Sequence, residues 1–171
     1  MRPLFQPIHL SILSEAVSLS EEIISDRFGL TTEYWLKNPF EVKTLKDEWP
    51  VRLPKGVFAH LEKYGNNWYE KFFGKDTQCL YKVLIVDYRV LKVTGGNNTI
   101  MMPFLLYIMT HELIHMVRFS RFECAVCIED KTEEEDKVHL LTESVLSRVK
   151  MANLDLVIDF FNGKRITLSM N

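Results

Sequence analysis

The stretch Thr99-Ile100-Met101-Met102-Pro103-Phe104-Leu105-Leu106-Tyr107-Ile108-Met109-Thr110-His111-Glu112-Leu113-Ile114-His115-Met116-Val117-Arg118-Phe119-Ser120-Arg121-Phe122 decides the fold. It is expected to form one long helix with Asn98 as its cap, and Pro103 falls in the first turns, where a missing N–H is tolerated. Inside it lies His111-Glu112-Leu113-Ile114-His115, an H-E-x-x-H motif. A spacing of four places His111 and His115 one turn apart on one face, so both imidazoles can reach a single ion. Neutral imidazole binds zinc at about 2.0–2.1 Å. Glu112 projects beside such an ion rather than onto it, where a carboxylate can take a proton from metal-held water. The flanking residues Ile108, Met109, Leu113, Ile114, Met116 and Val117 are apolar, and a buried helix restricts the rotamers of its ligands. Two core histidines satisfied by ordinary hydrogen bonds are the alternative, but two His and a Glu are costly on an otherwise apolar helix.

A zinc site needs a third protein ligand. Downstream the chain reads Thr132-Glu133-Glu134-Glu135-Asp136-Lys137-Val138-His139-Leu140-Leu141-Thr142-Glu143. As a helix, its apolar face centres near Val138, Thr142, Val145 and Val149, and Glu134 and Glu135 flank that face within roughly 60°. Glu133, Asp136 and Glu143 point toward water on the same reckoning, and His139 sits at the margin of the face. A carboxylate directed inward requires a cation, which an ion held by two histidines supplies.

These residues resemble the zincin superfamily of metallopeptidases, with spacing similar to its gluzincin branch, in which a glutamate ligand sits on a second helix. Eighteen residues separate His115 from Glu134 and nineteen separate it from Glu135, the latter matching the thermolysin-like spacing. The metzincin pattern is excluded, because Arg118 and Arg121 stand where it needs Gly and His. The resemblance covers about Thr99 to Val149. It implies His111, His115 and Glu135 as zinc ligands, with His139 and Glu134 as alternatives for the third, and Glu112 as the catalytic base. Thermolysin-like proteins carry an aspartate four residues after the glutamate ligand, orienting the first His; here that position is His139. Either His139 takes over that orienting role, or it is the third ligand and Glu135 orients it.

Zincins bind peptide extended along a sheet edge, a role that by resemblance falls to Leu80–Val93. That segment is the best strand candidate, rich in β-branched and aromatic residues, with a bend or a pair of strands around Asp87 left open. Tyr81 and Tyr88 are candidates for stabilising an oxyanion. Arg118 could hold a substrate carboxylate or pair with a glutamate, the commoner outcome.

Elsewhere, Leu10, Leu13, Val17, Ile24 and Phe28 lie on one face of a helix ending at Gly29, and Thr31-Thr32-Glu33 caps a short helix ending near Asn38-Pro39. Glu41–Pro54 reads as irregular with one edge strand, and Val57–Tyr64 and Trp68–Phe73 read as two short helices. The helix from about Thr132 is expected to continue to Phe161, before Asn162-Gly163. A short strand could follow Lys164.

The chain has 171 residues, 47% apolar and 26% charged, with a formal charge of −2. This composition fits one α+β, zincin-like domain over residues 1–171, mostly helical with a small sheet packed on the H-E-x-x-H helix. A metal-site core at about 80–150 would follow an N-terminal helical part at about 8–75. The near-neutral charge gives no reason to expect nucleic acid or a membrane surface. Cys79, Cys124 and Cys127 form no disulfide framework and suit a reducing, cytoplasmic setting. The spacing of Cys124 and Cys127 matches half a structural zinc site or a redox pair, but no second C-x-x-C or His pair completes such a zinc site. The expected function is a zinc-dependent metallopeptidase-like hydrolase acting on peptide or protein, with Zn2+ as cofactor and Glu112 activating the zinc-held water. A non-catalytic metal-binding or regulatory protein of zincin-like fold is the alternative.

Overall fold

A computed structural model of the chain describes residues 1–50, 52–64, 80–121 and 131–163. Among these, the elements run α1 (Pro7–Phe28), α2 (Thr32–Lys37), β1 (Phe40–Thr44), β2 (Ala59–Tyr64), β3 (Leu80–Ile85), α3 (Asp87–Thr94), α4 (Asn98–Ser120), α5 (Lys131–Leu146) and α6 (Leu154–Phe161). Helices around a small mixed sheet make this an α+β chain, mostly helical, as its sequence patterns imply.

Helix α4 is the axis of the core. From Ile100 to Val117 nearly every side chain is buried, and α1, β2, α3, α5 and α6 all pack on it. By length and composition it could cross a membrane; here its apolar surface is enclosed by the other elements. Its cap is Asn97 rather than Asn98, the Asn97 carboxamide oxygen accepting from the Thr99 N–H at 3.0 Å. Pro103 lacks the N–H that would reach the Thr99 carbonyl in the regular i→i−4 ladder. Asn153 supplies a donor instead, its Nδ2 lying 3.3 Å from that oxygen.

The sheet order is β1-β3-β2, with β1 parallel and β2 antiparallel to β3. Strand β3 is buried on both faces: Tyr81, Val83 and Ile85 join the main core, while Leu84 and Val86 pack with Leu45 beneath the sheet. A strand covered on both sides reads as a continuous apolar run, which explains why Leu80–Val93 looks like one long strand. The strand stops at Ile85, and Asp87–Thr94 is helix α3. Asp87, fully buried, accepts backbone N–H bonds from Phe5 and Leu45, each at 2.9 Å, and so ties the N-terminus and the end of β1 to the start of α3.

Two further expectations need correction. Ala59–Tyr64 is strand β2, not a helix, so the segment at about 8–75 is not wholly helical. Pairing with β3 overrides its weak local preference; Glu62 faces Lys82 across the two strands in an ion pair of 2.9 Å, and Glu48 pairs with the same buried ammonium. The helix expected from Thr132 to Phe161 is two helices. It breaks after Leu146, and Asn153 adopts a left-handed backbone (φ 64°) before α6 begins. Neither Gly nor Pro marks that break, and Asn is among the few other residues that adopt this conformation readily. The segment Trp68–Phe73, the three cysteines and the tail after Lys164 lie outside the described residues.

Candidate metal centre

His111 and His115 project from α4 with 8% and 6% of their surface exposed. Glu135, from the first turns of α5, reaches across to both: its carboxylate oxygens lie 3.2 Å from His111 Nε2 and 3.1 Å from His115 Nε2. The two Nε2 atoms are themselves 3.2 Å apart. Glu135 thus straddles the two rings, Oε2 toward His111 and Oε1 toward His115, and the three side chains form a triangle of donor groups. Ligands at about 2.0–2.1 Å around a tetrahedral zinc ion are separated by roughly 3.3–3.4 Å, so the triangle fits one face of such a site. With both imidazoles neutral and unprotonated at Nε2, a divalent cation between the three groups would be held by all of them together.

The electrostatics follow from this crowding. Burial pushes His111 down to about 4, against the hydrogen bond to Glu135. For His115 burial acts in the same direction, but the hydrogen bond to Glu135 and the charges of Glu112, Glu135 and Glu134 outweigh it and raise the ring above its ordinary value. Hydrogen bonds from both histidines hold Glu135 far below the usual carboxylate range. Glu112 is pushed up to about 7, chiefly by burial.

What holds the triangle is partly visible in Arg118, one turn beyond His115. Its guanidinium grips Glu134 with two bonds, Nε to Oε1 at 2.7 Å and Nη2 to Oε2 at 2.9 Å, both side chains nearly buried. This fork between α4 and α5 fixes the turn that carries Glu135. Glu134, held below its ordinary value first by that hydrogen bond, is therefore occupied with Arg118 and does not join the triangle. The arginine is equally engaged and does not offer itself to a substrate carboxylate.

His139 also stands apart from the triangle. Its Nδ1 lies 2.9 Å from the Tyr107 hydroxyl, and its ring centre is 4.6 Å from that of His111. It contacts the first histidine by its ring and is not hydrogen-bonded to it. Among the described residues nothing bonds Nδ1 of either His111 or His115. Their rings are held by packing, His111 near Tyr107 and His139 and His115 against Phe119.

The triangle opens into a cleft of about 530 Å³, a size typical of ligand sites. One wall is α4, with Tyr107, Ile108, Glu112 and Phe119; the other is the approach to β2, Gly56–Leu61, with Phe161 of α6 at the end. Arg89 fixes this second wall through the carbonyls of Pro54 and Val57, at 2.9 and 2.6 Å. The sequence pattern predicts a helix over Val57–Tyr64, whereas this wall is extended chain leading into β2. The resemblance gives the edge-strand role to Leu80–Val93, whereas β3 is central and both its edges are taken. Tyr81 is fully buried and Tyr88 stacks under Arg2, and neither lines the cleft; the tyrosine that does is Tyr107. Its place one turn before His111 was the available signal.

Comparison with models of protein families, with curated proteins and with solved structures returned no match to this chain.

Proposed function

We propose that the protein is a zinc-dependent hydrolase of the metallopeptidase type, holding zinc through His111, His115 and Glu135. The reading rests above all on one observation: Nε2 of both histidines and the Glu135 carboxylate meet within 3.1–3.2 Å of one another, beside a glutamate that faces the same cleft. Zinc bound there would supply Lewis acidity, polarising a carbonyl oxygen and making water a better nucleophile near neutral pH.

The chain's own residues do the rest. Glu112 accepts a proton from the attacking water on its carboxylate and passes it to the departing amine. Substrate main chain lies along β2. Phe58 O accepts from Val86 N at 2.8 Å, so by antiparallel alternation His60 and Glu62 bond toward β3, and Ala59 and Leu61 direct their N–H and C=O groups away from it. Ala59 and Leu61 both line the cleft, and their outward groups suit an extended peptide adding as a further strand. The apolar side chains of Val57, Phe58 and Phe161 exclude water around it.

Two measurements test this reading. Metal analysis of the purified chain should find one zinc per molecule. The variant Glu112→Gln should keep that zinc and lose peptide hydrolysis. Zinc retained with no hydrolysis in the unmodified chain would instead establish a metal-binding protein without catalysis.

A further inference from the structure

Tyr107 sits one turn before His111 on α4, 1% exposed, and ring-stacked on Phe161 with centroids 4.0 Å apart and planes 2° from parallel. A buried phenol needs an acceptor for its proton. Among the described residues that acceptor is His139 Nδ1, at 2.9 Å. With no other acceptor within reach among the described residues, the buried hydroxyl donates and Nδ1 accepts. A neutral imidazole that accepts at Nδ1 carries its own proton at Nε2. No described residue bonds that Nε2, and the His139 ring forms part of the cleft beside His111.

We propose that His139 is a catalytic residue that donates its Nε2–H to the substrate's carbonyl oxygen, with Tyr107 as the positioning residue that fixes its tautomer and direction. This rests on the hydrolase reading above. The contribution is a hydrogen bond alone: no covalent bond forms at His139 and its proton stays on the ring. The bond strengthens as negative charge grows on the oxygen, which is where such donors accelerate acyl transfer. The resemblance does not carry this assignment, since the thermolysin-like pattern has an aspartate at the position of His139, and an ionised aspartate donates nothing.

The experiment compares zinc-loaded wild type with His139→Ala, His139→Gln and Tyr107→Phe. It reads kcat and KM separately, zinc content, the Kd of a phosphonamidate dipeptide, and the His139 tautomer by long-range 1H–15N NMR. His139→Ala is expected to lower kcat about 100- to 1000-fold, with KM changed by less than about threefold and zinc still at one per chain. A glutamine at 139 can place an amide N–H near the former Nε2, so it should recover about tenfold or more of that loss. Tyr107→Phe should cost about tenfold in kcat with zinc retained. The wild-type ring should show the proton at Nε2. Zinc loss in His139→Ala, equal activity of the Ala and Gln variants, unchanged kcat, or a proton at Nδ1 in the wild type would each overturn the assignment. If wild type cleaves no peptide, the hydrolase reading fails by itself, and His139 is then judged by the phosphonamidate alone. A Kd weakened about tenfold or more by His139→Ala supports it and an unchanged Kd refutes it.

Discussion

The two walls of the cleft differ in what builds them. Helix α4 is a local object: its apolar run and its Asn97 cap specify it, and its burial then locks His111 and His115. The opposite wall, Gly56–Leu61, exists only through partners. Strand pairing to β3, the Glu62–Lys82 ion pair and two bonds from Arg89 hold it in place. Damage to the first wall should therefore abolish metal binding, while damage to the second should impair substrate binding and leave the metal alone.

The largest effects belong to α4. His111→Ala or His115→Ala removes one corner of the triangle, and zinc should fall from one per chain to a background level in metal analysis. Next comes the fork that seats Glu135. Arg118→Ala strands the nearly buried Glu134 carboxylate and should cost about 3 kcal/mol in urea unfolding; zinc affinity should drop with it. If the fork merely decorates the surface, both quantities will stay at their wild-type values.

A smaller effect separates the two walls. Leu61→Pro deletes an N–H that points away from β3, a substitution an edge strand tolerates. It should raise the KM for peptide about tenfold, the worth of one hydrogen bond, without changing zinc content. The neighbouring His60→Pro removes an N–H that pairs with β3 and should instead lower thermal stability. Equal behaviour of the two variants would mean that the strand register along the cleft has been read the wrong way round. The smallest effect is expected at Asn153→Ala, which loses both the left-handed preference and the bond to the Thr99 carbonyl. About 1 kcal/mol of stability should disappear, with activity unaffected.

The same contrast explains what could be read in the sequence. The H-E-x-x-H helix, α1 with its Gly29 stop and α2 with its Thr31 cap are all local patterns and are legible as such. Helical geometry narrowed the carboxylate to Glu134 or Glu135, which straddle the inward face. Choosing between them needs Arg118, which meets Glu134 only once α5 lies across α4. The wall at β2 was illegible because Ala59-His60-Leu61-Glu62-Lys63-Tyr64 has no clean period, and its strand character comes from β3. Strand β3 in turn obscured its own end, since its apolar run passes into α3 without a turn residue, and only the buried Asp87 marks the junction. The break after Leu146 carries neither Gly nor Pro, and the left-handed residue that follows it, Asn153, stands only at the start of α6.

A direct test of the central claim is the zinc stoichiometry of the purified chain near neutral pH, measured beside His111→Ala and Glu135→Ala. The account requires one tightly held zinc in the unmodified chain, none in the histidine variant and a weakened site in the glutamate variant. Metal-free wild type after incubation with excess zinc, or the same zinc content in all three proteins, would contradict it.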